Sequence, residues 1–389
     1  MKRLGLLPKI VLAITLGIIA GLIFPESVIR LFATFNGLFG NFLGFAIPFI
    51  IIGFIAPGIA SLGRGAGKLL GITTTIAYVS TVIAGLFAYL AAAAIYPVLL
   101  KRQSMREFEN PEEALLKPFF QVDMPPVMGI MTALLLAFML GLGLAYIKGK
   151  TLQNAMIDFR GIIELVIEKV IIPLLPFHIL GIFANMTQGG QVSAIMSVFI
   201  KVFIMIIILH MIYLVTQFSV AGAAAKRNPF KMLKEMAPAY MTALGTQSSA
   251  STIPVTLRQA RKLGAREKVA DFSVPLLATI HLSGSTITLV STGMAVMLMH
   301  GQSAHFSSIM PFILMLGITM IAAPGVPGGA VMAALGLLET MLGFSNTMLS
   351  LMIALYLAQD SFGTACNVTG DGALTVLADK LSGKSGDTA

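Results

Sequence analysis

Charged residues are scarce in this sequence: they make up 11% of the 389 residues, whereas 57% are hydrophobic. A soluble domain has about a quarter of its residues charged. The low charge therefore excludes an ordinary soluble protein and indicates an integral membrane protein. The net charge of +9 does not indicate binding of nucleic acid, because the basic residues lie in short segments between apolar runs.

Cysteine and tryptophan are rare or absent. The single cysteine, Cys366, excludes an intramolecular disulfide, and without tryptophan the aromatic residues at the membrane interfaces must be Tyr and Phe. A small-residue cleavage site is also missing after the N-terminal run MKRLGLLPKIVLAITLGIIAGLIFP. We therefore interpret this run as an uncleaved first span and not as a signal peptide.

Apolar runs that are long enough to cross a membrane recur along the chain. About 20 apolar residues are needed for a helical span. Suitable runs cover roughly 8–24, 39–62, 70–99, 127–147, 160–184, 193–217, 270–299 and 347–378. Two other segments, 228–262 and 308–345, are interrupted by TQSSASTIPV and APGVPGGAV. Non-helical backbone at membrane depth is tolerated only inside protein or around a cavity, so these segments indicate a transport site.

The positions of Lys and Arg predict the orientation. Basic residues cluster at the N-terminus and on both sides of the segment 228–262, whereas the loops 185–192 and 299–307 contain none. If each interrupted segment returns to its own side, both termini are cytoplasmic. The stretch 101–113 is an exception, because its basic residues lie on the other side, where glutamates offset them. The sequence thus predicts an all-α polytopic membrane protein with eight transmembrane helices and two re-entrant helical hairpins.

The last span carries a polar stripe within QDSFGTACNVTGD. Asp360, Thr364, Asn367 and Asp371 are spaced by four, three and four residues, which places them on one face of a helix. A carboxylate at the centre of a membrane helix costs about 2.5 kcal/mol or more. The stripe is therefore either a structural set, hydrogen-bonded to neighbouring helices, or the lining of a site for a cationic group. Gly363 falls on the same side and leaves space there.

The motifs TQSSASTIPV, PLLATIHLSGS, APGVPGG and QDSFGTACNVTGD, in this order, resemble the dicarboxylate/amino acid:cation symporter family, which includes glutamate transporters and neutral amino acid exchangers. The resemblance implies a glutamate-transporter-like elevator fold and a homotrimer in the cytoplasmic (inner) membrane of a prokaryote. It also implies a scaffold of residues 1–66 and 127–190, a transport domain of residues 67–126 and 191–378, and a cytoplasmic tail of residues 379–389.

The resemblance also implies roles for single residues. Asp360 matches the residue that holds the substrate amino group, and Thr364 and Asn367 match residues near the substrate carboxylate. The other expected substrate-binding residues are Ser248, Ser249, Val326, Pro327, Gly328 and Gly363. The expected cation ligands are Leu277, Thr279, His281, Asn367 and Asp371. Residues 324–329 match the tip of a mobile gate.

One departure from the family pattern concerns the substrate. Gly363 stands where transporters of acidic amino acids carry an arginine, which forks onto the carboxylate of the substrate side chain. Gln247 of the first interrupted segment does not supply a replacement. We therefore expect a neutral amino acid as the substrate, with a larger side chain in the vacated volume.

A second departure concerns the coupled cation. His281 and Ser283 stand where the family has asparagine and aspartate, and the matching residues of the third span are expected to be Thr73, Ile76 and Ala77. These changes predict that one sodium site is absent. His281 is either a hydrogen-bonding core residue or a group that carries a proton in place of a sodium ion, because imidazole titrates near neutral pH.

These features predict a secondary active transporter of the elevator type that carries a neutral α-amino acid. Sodium is the expected coupled cation, with fewer ions than in glutamate transporters. The alternatives are a proton-coupled or exchange-mode carrier of another small carboxylate or amino acid, a channel, and a membrane enzyme. An enzyme would need a base beside Ser248 or Ser249, and His281 is the candidate that could approach in space. The expected partners are the substrate, membrane lipids and further copies of the chain, and no cofactor or nucleic acid is expected.

Overall fold

The computed structural model describes residues 6–62, 68–99, 115–190, 192–323 and 327–383, and every regular element within these ranges is a helix. Val326, the basic residues before residue 6, Arg64 and the stretch 101–113 lie outside the described residues. The all-α class is confirmed. It suits a chain this apolar, because a helix satisfies its own backbone polar groups without water.

Fifteen α-helices occur in the described ranges. In chain order they are α1 (Leu6–Ile23), α2 (Glu26–Leu62), α3 (Lys68–Leu99), α4 (Ile130–Tyr146), α5 (Thr151–Val166), α6 (Ile172–Gln188), α7 (Val192–Ala225), α8 (Pro229–Glu235), α9 (Ala237–Thr246), α10 (Ser249–Lys262), α11 (Glu267–Ile280), α12 (Ser283–Met299), α13 (Phe306–Ile321), α14 (Gly329–Leu342) and α15 (Asn346–Ser382). A π-helical turn, Ile167–Ile171, joins α5 to α6.

Within the described ranges, five stretches are long and apolar enough to cross a membrane, judged by length and composition: Glu26–Ala60, Lys68–Leu99, Thr151–Gln188, Ile195–Ala225 and Glu267–Met299. Each corresponds to a predicted span, but the boundaries differ. For example, α2 begins at Glu26 and not near residue 39, and the rod of α5 and α6 begins at Thr151 and not near residue 160. The fold therefore contains several apolar helices, which is compatible with a polytopic membrane protein.

The span expected at 270–299 is broken, so the prediction of a continuous helix was wrong. α11 ends at Ile280, α12 begins at Ser283, and the two residues between them have non-helical backbone angles (His281 φ −109°, ψ 100°; Leu282 φ −121°, ψ 48°). The side chain of Asn367 supplies a cap for the new helix start: its Oδ1 accepts hydrogen bonds from the backbone N–H of Gly284 (2.7 Å) and Ser285 (3.3 Å). These donors would otherwise have no partner within the helix.

Both interrupted segments fold as helical hairpins. Hairpin 1 consists of α9 and α10. Its turn contains Gln247 in the left-handed region (φ 53°), followed by Ser248, whose Oγ caps α10 by accepting the N–H of Ser251 at 3.3 Å. Hairpin 2 consists of α13 and α14, and Gly328 precedes α14 at φ 76°. Glycine suits this position because a left-handed backbone is unfavourable for residues with a Cβ.

α15 is the central helix, and most residues between 348 and 379 are buried. It packs against α3, α7, α9, α10, α11, α12 and α14, and it also contacts α1 and α6. The helices α1, α2, α4, α5 and α6 pack mainly on one another, and α14 lies against α2 between the two groups. α1 and α6 approach closely at Gly17, where an added Cβ would come within 2.5 Å of the Leu180 carbonyl oxygen. The arrangement brings the two hairpin tips and the break between α11 and α12 to the middle of α15.

Candidate functional site

A small polar cavity lies where both hairpins and the broken helix meet α15. Its volume is about 20 Å³, which is about the space of one water molecule. The lining residues are Gln247 and Ser249 of hairpin 1, Ala278, Thr279, Leu282 and Ser285 around the helix break, Ala323 and Ala330 of hairpin 2, and Tyr356, Asp360 and Thr364 of α15. Asp360 is the one charged side chain in this described lining.

The carboxylate of Asp360 is buried, with 5% of the residue exposed. Its Oδ2 accepts a hydrogen bond from the backbone N–H of Gly328 at 2.7 Å, which docks hairpin 2 on α15. A buried carboxylate that pairs with a neutral N–H still lacks a positive partner, and burial without such a partner is expensive. An ammonium group that reached Asp360 would form a stronger, charge-assisted hydrogen bond.

Three helix N-termini also contribute residues to the cavity. Ser249 is the first residue of α10, Ser285 lies in the first turn of α12, and Ala330 is the second residue of α14. The N-terminus of a helix carries unpaired N–H groups and a partial positive charge, so it favours an anion. At α12 the N–H groups of Gly284 and Ser285 are already bonded to Asn367 Oδ1. The N-termini of α10 and α14, together with the carboxylate of Asp360, provide the two kinds of charge that a zwitterion needs.

Asp371 is a second buried carboxylate and does not belong to this cavity lining. It is 1% exposed, its Oδ1 lies 2.9 Å from His281 Nδ1, and its Oδ2 has no hydrogen-bond partner among the described residues. His281 Nε2 lies 3.1 Å from Ser80 Oγ and 3.3 Å from Gln217 Nε2. A buried carboxylate oxygen without a donor is costly and is suited to a cation.

The side chain of the third span that contacts His281 is Ser80. Of the three expected residues, Ile76 and Ala77 pack against Leu277 and Ile280 at the end of α11. Thr73 instead lies beside Ser273, with 3.3 Å between the two hydroxyl oxygens. Ser80 follows Ile76 by four residues, so the two residues lie on the same face of α3.

Asn367 and Gly363 are placed differently from the expectation that they line the substrate site. The Asn367 amide is used within the fold: besides capping α12, its Nδ2 donates to Ser285 Oγ at 3.0 Å. Gly363 lies beside the backbone of α12, where an added Cβ would be 3.5 Å from the Ser285 nitrogen. Neither residue belongs to the cavity lining. A cavity of about 20 Å³ also does not contain the vacated volume that was expected for a larger side chain.

The other predicted residues divide into two groups. Ser249, Thr279, Asp360 and Thr364 meet around the cavity. Ser248 and Leu277 are sequence neighbours of lining residues, and Pro327 is the neighbour of Gly328. None of these three residues lines the cavity itself.

The side chain of Thr279 and the backbone of Leu277 already have partners. Thr279 Oγ1 donates to the Leu276 carbonyl at 2.7 Å, and the Leu277 carbonyl accepts the N–H of His281 at 2.9 Å. The partners of the His281 ring in the described part of the chain are Asp371, Ser80 and Gln217, so no pair of histidine with Ser248 or Ser249 is formed there.

Seven of the eleven lining residues were not among the predicted site residues, and two of these seven, Tyr356 and Ser285, carry a hydroxyl group. Tyr356 precedes Asp360 by four residues, so extending the polar stripe by one turn would have included it. Ser285 follows the unforeseen helix break and lines the cavity because α12 begins there.

Comparison with known proteins gives a consistent result. The model of the sodium:dicarboxylate symporter family matches residues 6–381. The chain is 27% identical over 394 aligned residues to the serine/threonine transporter SstT of Acinetobacter baumannii (strain AYE), covering 97% of both chains. It is 26% identical over 341 residues to the serine/threonine transporter SstT of Streptococcus suis (strain 05ZYH33), covering 85% of this chain and 94% of the relative.

Proposed function

Since the chain belongs to the sodium:dicarboxylate symporter family, we propose that it is a secondary active transporter that carries a neutral α-amino acid, coupled to a cation gradient. The observation that carries this proposal is the cavity, in which Asp360 is the one charged residue of the described lining and the helices α10 and α14 present their N-termini. The substrate ammonium group pairs with Asp360, and the substrate carboxylate lies at the helix N-termini. Because the members of this family are transporters, we assign no enzyme activity to the chain.

The substrate is a small amino acid with a hydroxyl side chain. Two relatives from different bacteria are named serine/threonine transporters. The cavity supports the same class for this chain, because the lining that the structure describes contains neither Lys nor Arg to pair with an acidic side chain. Its hydroxyl-bearing and small lining residues suit a compact polar substrate, in place of the larger side chain considered from Gly363 alone.

Sodium is the coupled cation, with a proton as the alternative. Asp371 Oδ2 is a buried carboxylate oxygen without a hydrogen-bond partner in the described residues. α11 ends at Ile280, directly before His281, and the last carbonyl groups of a helix have no N–H partner within that helix. Unwound carbonyls and a carboxylate are the ligands that transporters use for sodium. The imidazole of His281, held between Asp371 and Ser80, fills space at this centre, so fewer sodium ions are bound than in glutamate transporters.

Transport requires hairpin 2 to move. The cavity holds about 20 Å³, and the Gly328 N–H occupies Asp360 Oδ2. A cavity of this size does not hold an amino acid, so the substrate enters when the tip of hairpin 2 lifts, which breaks this hydrogen bond. In the elevator mechanism that we propose, α1, α2, α4, α5 and α6 form the fixed scaffold of a homotrimer in the inner membrane. The other helices then move as the transport domain, with eight spans, two re-entrant hairpins and both termini in the cytoplasm.

The test is uptake of radiolabelled L-serine into liposomes that contain the purified protein. An inward sodium gradient should drive saturable accumulation above the external concentration, and replacement of sodium by choline should abolish it. Non-saturable flux that stops at equal concentrations would indicate a channel. Accumulation driven by a pH gradient without sodium would support the proton alternative. A complete lack of uptake of serine, threonine and other neutral amino acids would contradict the proposed function.

A further inference from the structure

A groove lies at the surface of the protein between residues 9–16 of α1 and residues 168–180 of the π-helical turn and α6. Its volume is about 560 Å³, within the range of ligand-binding clefts, which hold about 300–1,000 Å³. The walls are mainly apolar and include Leu12, Leu16 and Phe177. Leu12 is 53% and Phe177 is 64% exposed, so the groove opens away from the protein. We call it the α1/α6 groove.

The α1/α6 groove begins where the close contact between the two helices ends. At Gly17 and at Gly21, an added Cβ would clash with a backbone carbonyl oxygen of α6. The groove lies N-terminal to this contact on both helices, beside the π-helical turn and two prolines, Pro173 and Pro176, that line it. Prolines and π-helical turns interrupt the regular hydrogen bonds of an α-helix and bend it. The local sequence of α6 therefore opens a gap beside α1.

Two residues of opposite charge, Lys9 and Glu168, line the N-terminal end of the groove. Neither forms an ion pair with another described residue, whereas Glu164, one helical turn before Glu168, pairs with Arg160 at 2.9 Å. Lys9 also lies near the N-terminus of α1, where a positive side chain is unfavourable for the helix dipole. Pairing within the fold therefore does not account for these two charges, which remain available to a ligand.

The headgroup of phosphatidylethanolamine complements both charges. Its phosphate can pair with the ammonium group of Lys9, and its own ammonium group can donate to the carboxylate of Glu168. Leu16 lies seven residues after Lys9, about 10 Å along α1, so the apolar part of the groove can hold the first part of an acyl chain. An anionic phospholipid without an ammonium group would leave Glu168 unpaired and would be repelled by it.

We propose that the α1/α6 groove is a binding site for phosphatidylethanolamine, with Lys9 at the phosphate, Glu168 at the ammonium group and an acyl chain between the two helices. The site lies outside the polar cavity of α15 and the hairpins, since the two described linings share no residue. The inference therefore does not depend on which substrate the chain carries.

The experiment titrates purified, delipidated protein with dioleoyl-phosphatidylethanolamine or dioleoyl-phosphatidylglycerol and measures the affinity of the first bound lipid by native mass spectrometry. The wild type should bind phosphatidylethanolamine about fivefold more tightly, the effect of one partly exposed ion pair. Glu168→Gln should weaken phosphatidylethanolamine by about fivefold and remove the preference, because the ammonium group loses its partner. Lys9→Gln should weaken both lipids by a similar factor, since both carry a phosphate.

Lys169→Gln and Asp158→Asn are the matched controls. Both side chains are exposed, lie in the same helical rod as Glu168 and do not belong to the described groove lining. These variants should keep the wild-type affinities for both lipids. Lys9 and Glu168 are exposed as well, so all four variants should fold like the wild type, and thermal unfolding checks this.

Three results would overturn the inference. The first is a wild type that binds the two lipids equally or prefers phosphatidylglycerol. The second is an equal change in the control variants, which would indicate a diffuse charge effect. The third is a changed oligomeric state in Glu168→Gln with unchanged lipid binding, which would assign the groove to a second copy of the chain. None of these results bears on the proposed transport of amino acids, because lipid binding is measured without substrate.

Discussion

Replacing Asp360 with asparagine removes the charge of the cavity and keeps nearly the same shape. In the wild type the residue is 5% exposed, and Oδ2 accepts the N–H of Gly328 at 2.7 Å. The asparagine side-chain oxygen can still accept this hydrogen bond, so hairpin 2 should remain docked on α15. The variant therefore isolates the negative charge that we propose holds the substrate ammonium group.

The expected loss follows from the burial of this charge. Truncating one partner of a buried, hydrogen-bonded charge pair costs about 2–5 kcal/mol. This range corresponds to a serine dissociation constant that rises by roughly 30-fold to several thousandfold. The effect should appear in isothermal titration calorimetry with L-serine in saturating sodium.

A thermal unfolding experiment serves as the control, because loss of fold would also abolish binding. We expect the unfolding temperature of Asp360→Asn to stay at or above that of the wild type, since a buried charge without a cationic partner is removed. Serine binding within threefold of the wild-type value, in a folded variant, would refute the assignment of Asp360 to the substrate ammonium group.

Two further changes test the support of the site. Gly328→Ala should weaken docking of hairpin 2 by about 1–2 kcal/mol, because alanine disfavours the left-handed backbone and its Cβ would come within 2.6 Å of Leu357 Cδ2. Hydrogen–deuterium exchange in α14 should then be faster than in the wild type, and unchanged exchange would count against this prediction. Arg266→Leu should lower the free energy of unfolding by about 1–3 kcal/mol, because the buried carboxylate of Asp379 loses a partner at 2.7 Å and the arginine is itself partly exposed. Chemical denaturation measures this loss, and an equal effect from the exposed Lys268→Leu would contradict it.

The polar stripe of α15 and the two hairpins could be predicted from the sequence because their signals are local. The four-three-four spacing that places Asp360 and Asp371 on one face is a property of a single helix. The hairpin turns contain proline, glycine and serine, which interrupt helices wherever they cluster. The confirmed all-α class follows from the long apolar runs alone.

Contacts between distant segments could not be predicted in the same way. The break at His281 and Leu282 contains neither proline nor glycine, and it depends on the cap that Asn367 supplies from a helix more than 80 residues away. The pairing of His281 with Asp371 likewise joins residues 90 positions apart. Such features arise from packing, which a single sequence does not display.

The most direct test of the central claim is a comparison of L-serine and L-aspartate binding to the purified protein, with sodium and with choline in its place. We expect serine to bind in sodium and to bind at least tenfold more weakly in choline, because the coupled cation and the substrate bind together. Aspartate should not compete, since the described cavity lining offers no basic side chain for its second carboxylate. Tighter binding of aspartate than of serine, or serine binding that is unaffected by sodium and all other cations, would contradict a cation-coupled carrier of neutral amino acids.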